Sequence, residues 1–499
     1  MTARHSLRPG HAVTAALMAL ALLGGCDRRQ RHGPIEVSVI GPPLDANRPA
    51  PDRAPLDAPA AALIGATGQG LVRFDASGQI VPGVAGRWIV ADNGRSLIFR
   101  LRDLPAPGTR PIEAGDVARR IRAAIAPDSR NPLKPLLGAI DEVNAVTPQV
   151  IDIELKASRP NLLQLFAQPA LAMGGVHRGP FAITGEAGGV VALRPLADPD
   201  SDPDDPTVRR PPVVHLRGEP AATAVARFAA GESRLLLGGR FQDLPIARVA
   251  SLPRNALHFD PVRGLFGLAF SGTGKGLAGS PDGRRALAMA IDRDRIQRLF
   301  GVPGWQTSTA IVAPGTAEVQ RPASPAWASL AMADRIAQAR QIVARWRQGH
   351  GGASPPPLRV ALPAGPGALI LFASILADWH AIGVDAVEVA PDAPADLRLI
   401  DEVAPADTAS FYLRAFACER QALCSDVSDR ILAAAREAPS LDERNVLLMQ
   451  ADALIGDATP FIPIGMPIRW SLVAPDLNLY RDSPRGLHPL NELRTPPKR

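Results

Sequence analysis

Apolar and polar positions along the chain follow two periods. Ile35, Val37 and Val39 alternate with Glu36 and Ser38, Leu97, Phe99 and Leu101 alternate with Arg100 and Arg102, and Ile151, Ile153 and Leu155 alternate with Asp152, Glu154 and Lys156. Period-two alternation predicts half-buried strands. Val213-Val214-His215-Leu216 and residues 358–362 read as further strands. Helical spacing appears at Val117, Ile121 and Ile125, at Leu287 and Ile291, and at Phe372, Ile375, Leu376 and Trp379. It recurs at Val427, Ile431 and Leu432 and at Leu447, Ala451, Leu454 and Ile455. Strands and helices mix throughout, so the predicted class is α/β or α+β mixed. Residues 27–34 and 41–60 are polar or Pro/Ala-rich and read as tether and loop, 350–357 end a helix and lead into a strand, and no internal repeat stands out.

The length of 499 residues calls for more than one domain. The formal net charge is +6, and removing residues 1–25 takes away Arg4 and Arg8 and no acid, leaving +4. An excess this small, spread over the chain, gives no nucleic-acid footprint.

The amino terminus carries the sharpest local signal. Arg4 and Arg8 precede an uncharged apolar run at 12–23. The run is shorter than the ~20 residues a spanning helix needs and fits a secretory signal core. Leu23-Gly24-Gly25-Cys26 follows and resembles the bacterial lipobox, in which the Cys thiolate takes a diacylglyceryl group and becomes the first residue. The expectation is a signal peptide over 1–25, a tether over 26–34 and a lipid on Cys26. Asp27 resembles an inner-membrane retention signal. Cys418 and Cys424 then remain in an oxidising compartment, where a bridge is expected and two free thiols are the alternative.

Enzyme motifs are thin. Gly272-Thr273-Gly274-Lys275-Gly276 lacks the Gly and the Ser/Thr that a phosphate loop needs at 269 and 276, and no Gly-X-Ser-X-Gly or His-Glu-X-X-His occurs. The acidic run Asp198, Asp200, Asp202, Asp204 and Asp205 lacks the Gly and terminal Glu of a calcium loop and reads as solvated. No catalytic group, metal or cofactor is expected.

Several segments in collinear order resemble the solute-binding protein family 5 of ABC importers, the peptide- and nickel-binding type. They are Gly70-Leu71-Val72-Arg73-Phe74-Asp75, Ile80 to Ala85 with Trp88, Asp92-Asn93-Gly94 leading into Leu97 to Asp103, and Ile112 to Val117. Arg178-Gly179-Pro180-Phe181, Phe228 to Glu232, Arg284 to Arg293, Ala433 to Arg436 with Arg444, and Pro460 to Ile464 continue the series. The resemblance implies two hinged lobes with an extra subdomain in the first. Mapped here, the first lobe takes 33–60, 180–258 and 468–499, the subdomain 61–179 and the second lobe 259–467. It implies a monomeric, periplasmic, lipid-anchored receptor, not an enzyme, that captures an oligopeptide or dipeptide for a membrane permease and its ATPase. A family relict with an envelope or chaperone-like role is the alternative, and an exported hydrolase is a third.

The resemblance also points to two ligand-binding residues. Asp401, in Leu399-Ile400-Asp401-Glu402-Val403-Ala404-Pro405, stands four residues before a Pro at a predicted strand end. There the peptide-binding branch receives the ligand's α-ammonium, and a buried ammonium needs a carboxylate; a solvated loop carboxylate is the competing and favoured reading of Asp401. Trp305 follows the helix ending in Ala-Ile-Asp-Arg and is a candidate for stacking on ligand, with hinge or core packing the favoured reading. Trp88, Phe99, Leu101 and Phe181 are expected in the core, and Asp292 in solvent. The family's Asn-Pro-X-Tyr-Trp stretch is missing, which leaves peptide, metal chelate, sugar or opine-like solute open.

Overall fold

The computed structural model describes residues 33–45, 56–102, 110–173, 179–196, 212–272, 276–420, 423–477 and 480–493. Cys26, Asp27 and the acidic run 198–205 lie outside the described residues.

The first lobe is built on a seven-stranded sheet. Its spatial order is Leu257–Phe259, Arg469–Val473, Leu235–Arg240, Ile35–Ile40, Val214–Glu219, Val190–Pro195 and Phe181–Ala187. Ile35–Ile40 runs parallel to both neighbours, with Val37 opposite Leu216 on one side and Leu235 on the other. The remaining pairings are antiparallel. Three distant stretches of chain therefore meet in one sheet. Ile35, Val37, Phe181, Val191, Leu193, Val214, Leu216 and Leu235 form its core, each at most 1% exposed.

The second lobe carries a five-stranded sheet ordered Ala386–Val389, Leu358–Ala361, Leu397–Val403, Gly264–Phe270 and Phe461–Gly465. Gly264–Phe270 is buried at all seven positions. A strand covered on both faces has no period-two signature, which is why alternation did not reveal it. The subdomain is an antiparallel sheet ordered Ala85–Ala91, Ser96–Leu101, Val150–Leu155 and Ile140–Thr147, packed by the helix Ala114–Ile125.

Two short crossovers, 260–263 and 466–468, join the large sheets. One core cluster runs across that junction. It includes Leu236, Phe241, Trp470 and Leu472 on the first-lobe side and Phe266, Leu268, Ile462 and Ile464 on the second.

Most predicted elements are present within a few residues of their expected bounds, and three readings are corrected. Residues 58–60, expected in a loop, open the helix Ala58–Thr67; Asp57 caps it by accepting from the Ala60 amide, and a Pro stands in its first turn, where the missing N–H costs nothing. Asp292, expected in solvent, caps the helix Arg293–Phe300 through the Arg295 amide, and its own amide donates to Asp378 Oδ2 at 2.9 Å. Trp88, expected in the core, packs against the subdomain core with its ring centre 6.4 Å from that of Phe99, but stays only half-buried.

Candidate functional site

The charged groups of the two lobes converge where the large sheets approach each other. Arg240 ends its strand, Arg469 begins the neighbouring one, and the two are register partners. The first lobe thus presents two guanidinium groups side by side. The second lobe answers with Asp401 and Glu402, from the strand Leu397–Val403.

Asp401 lies within this strand, opposite Phe266, and not at the strand's end as the sequence suggested. Its side chain is 8% exposed. Arg469 Nη1 donates to Asp401 Oδ1 at 2.8 Å and Nη2 donates to the Asp401 backbone carbonyl at 3.0 Å. Oδ2 is buried and has no hydrogen-bond partner among the described residues. Three further groups stand near the pair, Arg240 and Glu402 at the exposed surface and Asp243 half-buried. Desolvation lowers the Arg240 pKa, Arg469 adds to that, and Asp401 opposes it. Asp243 is pushed up to about 6 by burial, against the pull of Arg240. Glu402 keeps solvent contact, yet desolvation raises its pKa despite Arg420 of its own lobe and Arg240 and Arg469 of the other. The arrangement is a charged junction to which both lobes contribute and in which a carboxylate oxygen still lacks a donor.

Trp305 is placed elsewhere. It is 7% exposed, and its indole N–H donates to the Met466 carbonyl at 2.7 Å, inside the 466–468 crossover. Phe266 and Phe300 meet the ring edge-to-face at 6.1 and 6.3 Å. Gly465 lies so close that a Cβ there would sit 2.7 Å from the indole. The ring is thus buried in the packing of the crossover, the hinge or core position that the sequence weighed above stacking on ligand.

The subdomain also touches the second lobe. Gln164 Nε2 donates to Asp407 Oδ2 at 3.0 Å, the Asp407 amide donates to Gln164 Oε1 at 2.7 Å, and Gln168 Nε2 donates to the Pro405 carbonyl at 2.7 Å. Asn161 and Arg485 add further bonds to Asp407. Between the helix Ala58–Thr67, residues 167–172 and residues 487–491 lies a solvent-open hollow of about 840 Å³, lined mainly by small and apolar side chains such as Ala61, Ala62 and Leu487.

Cys418 and Cys424 are disulfide-bonded, with Cα atoms 5.0 Å apart. Among the described residues no cluster of three His, Cys, Asp or Glu is placed to hold a metal, and no helix is long and apolar enough to cross a membrane.

No protein-family model matches the chain. Solved structures match it nearly end to end. The murein tripeptide binding protein MppA of Escherichia coli superposes with a TM-score of 0.75 at 18% identity, over 92% of this chain and 97% of that one. OppA of Haemophilus influenzae, in complex with RPPGFSPFR, gives 0.76 at 15% identity over 93% and 99%. The chain has the two-lobed periplasmic binding protein fold. NikZ of Campylobacter jejuni, in complex with Ni(L-His), shares this binding-protein fold with a TM-score of 0.68 at 16% identity, over 89% of this chain and 94% of that one. The nickel-binding periplasmic protein of Escherichia coli (strain K12) is 29% identical over 100 residues, which is 20% of this chain and 19% of that protein. The match spans about a fifth of that relative's length.

Of the residues at this junction the sequence singled out Asp401 alone, and Arg240, Arg469 and Glu402 were not picked out. A signal existed for Arg240, which ends the run Leu235-Leu236-Leu237-Gly238-Gly239, since a charge closing a buried strand marks its emergence at a rim. Nothing local marks Arg469 as the partner of a residue 68 positions earlier.

Proposed function

We propose that the protein is a family 5 solute-binding protein of an ABC importer, capturing a small solute between its lobes and delivering it to a membrane permease. In this reading a lipid on Cys26 holds it at the periplasmic face of the inner membrane, and the partner ATPase supplies the energy. The observation that carries the reading is the charged junction of Arg240, Arg469, Asp401 and Glu402, to which both lobes contribute. A solute held there contacts both lobes at once, so it binds the closed arrangement better than the open one and selects it.

The solute class that fits best is a dipeptide or oligopeptide. Asp401 Oδ2 is a buried acceptor without a donor. Leaving such an atom unpaired costs about 1–3 kcal/mol, and an α-ammonium beside Oδ2 would supply the missing bond. Arg240 offers a carboxylate partner from the opposite lobe. Calorimetry with di- and tripeptides tests this. Asp401→Ala is expected to weaken binding by about 2–5 kcal/mol, and unchanged affinity overturns the assignment of Asp401. Native mass spectrometry of protein purified from its own host identifies the co-purifying solute, and metabolic labelling with palmitate tests Cys26.

One observation favours a second reading, a family relict that does not transport. Arg469 already holds Asp401, and the subdomain's glutamines already hold residues 405–407. If the lobes are closed by their own side chains, small-angle scattering shows one compact shape that no peptide alters, and no solute co-purifies.

A further inference from the structure

We propose that the groove between the subdomain and the second lobe is a binding site for a small oxyanion, distinct from the solute junction and independent of the reading given for it. The groove holds about 620 Å³ of space open to solvent. Pro135, Leu136 and Gly138 border it on the subdomain side and Thr408, Ser410 and Leu432 on the other. Its charged lining is Arg159 from the subdomain and Arg414, Arg436 and Arg444 from the second lobe, against one carboxylate, Glu318.

That carboxylate is fully committed. Glu318 Oε1 accepts from Arg444 Nη2 at 3.0 Å, and Oε2 accepts from Thr408 Oγ1 and the Ala409 amide at 2.8 and 2.6 Å. Arg414 reaches Glu419 at 2.9 Å, but that glutamate is 58% exposed and is not part of the groove lining. Glu437, 57% exposed, comes no closer than 3.8 Å to Arg436 and is shared with Lys156 at 3.9 Å. Among the described residues Arg159 donates only to carbonyls, those of Ser158, Ala435 and Arg436. Arg436 donates no hydrogen bond among the described residues, and the Nε atoms of Arg414, Arg436 and Arg444 are all buried without partners. Burial pulls the Arg159 pKa down to about 10, and the neighbouring charge of Arg444 adds to the effect.

Crowded guanidinium groups in a half-enclosed groove are unfavourable unless a counter-charge joins them. Guanidinium forks match the planar or tetrahedral oxygens of carboxylate, sulfate and phosphate, and each fork can donate twice. Ser410 adds a hydroxyl at the same wall: its oxygen accepts from Arg444 Nη2 at 3.0 Å, which leaves its proton to donate, whereas the Thr408 proton is already given to Glu318. An oxyanion here would tie Arg159 to Arg436 and Arg444, and so join the subdomain to the second lobe.

Calorimetry of the mature chain with phosphate, sulfate and malonate in turn, against chloride at matched ionic strength, tests the site. The expected result is saturable binding of at least one oxyanion, weakened at least tenfold by Arg436→Gln. The Arg436 side chain is half-exposed and donates no hydrogen bond among the described residues, and its carbonyl bond from Arg159 survives the change, so the variant is expected to fold, and an unchanged circular dichroism melt verifies that. Arg414→Gln serves as a second variant, and Arg240→Gln, at the solute junction, is expected to leave oxyanion binding intact. The proposal is overturned if none of the three anions binds saturably, if chloride gives the same response, or if neither groove variant weakens binding. It is also overturned if Arg240→Gln alone abolishes binding, which would place the anion at the solute junction.

Discussion

The Arg469 guanidinium grips Asp401 twice across the junction of the two large sheets, with Nη1 on the carboxylate at 2.8 Å and Nη2 on the backbone carbonyl at 3.0 Å. The side chains are 12% and 8% exposed, so the pair is largely withdrawn from water. Removing one partner of such a pair leaves an uncompensated charge, which costs about 3–5 kcal/mol. Arg469→Ala is therefore expected to destabilise the protein by that amount in urea unfolding. The double variant Arg469→Ala with Asp401→Ala should recover part of the loss. Additive single effects would show that the two residues do not act as a pair.

Arg293 is a second buried cation, and among the described residues no carboxylate pairs with its guanidinium. Nε donates to the Ser308 and Pro463 carbonyls at 3.0 and 2.8 Å, Nη1 donates to those of Ala288 and Ile291, and the group lies 5.5 Å from the Trp327 ring centre. Desolvation lowers its pKa to about 9, with Arg335 adding to the effect. Lysine keeps the charge but has neither the fork nor the reach to serve four carbonyls. Arg293→Lys is expected to cost about 1–3 kcal/mol by stranding buried acceptors, read as a lower urea midpoint.

Asp452 makes stability fall with rising pH. It is 1% exposed, burial pushes its pKa up to about 6, and the Ala323 amide on Oδ2 at 2.6 Å offsets only part of this. Between about pH 4 and 6 the folded state binds the proton that the unfolded chain has released. Stability from this group is thus full below pH 4 and lost as pH rises to 6, by on the order of 3 kcal/mol. Asp452→Asn keeps an acceptor for Ala323 and never ionises. Its melting temperature should vary less between pH 4 and 7 than that of the wild type. An identical pH profile would remove Asp452 from the account.

Gly367 fixes the approach of the helix Pro366–His380 to the first lobe. Its amide donates to the Gln242 carbonyl at 2.9 Å, and a Cβ there would sit 2.1 Å from the Phe241 carbonyl oxygen. Gly367→Ala is expected to push the helix away from residues 241–242 and cost about 1–3 kcal/mol. A lower urea midpoint with a larger radius of gyration checks both effects.

Strands and helices were legible wherever one face is wet. Leu97, Phe99 and Leu101 alternate because the other side of their strand meets polar surroundings, and Val117 and Ile121 repeat because one helix stripe is buried. Gly264–Phe270 was silent because both its faces are covered. Asp401 could be singled out by its place in the chain, but not the register that puts it inside its strand.

The sequence by itself determined the mixed class, the order of most elements and the two cysteines available to bridge, because period, turn residues and cysteine spacing are local properties of the chain. Tertiary structure alone decided that Arg469 meets Asp401, that Arg240 stands beside Arg469, that Trp305 is sealed into the crossover, and that four arginines from distant segments share one groove. Those outcomes depend on which surfaces the two sheets and the subdomain bring together. Burial and charge pairing between residues far apart in sequence leave no periodic trace along it.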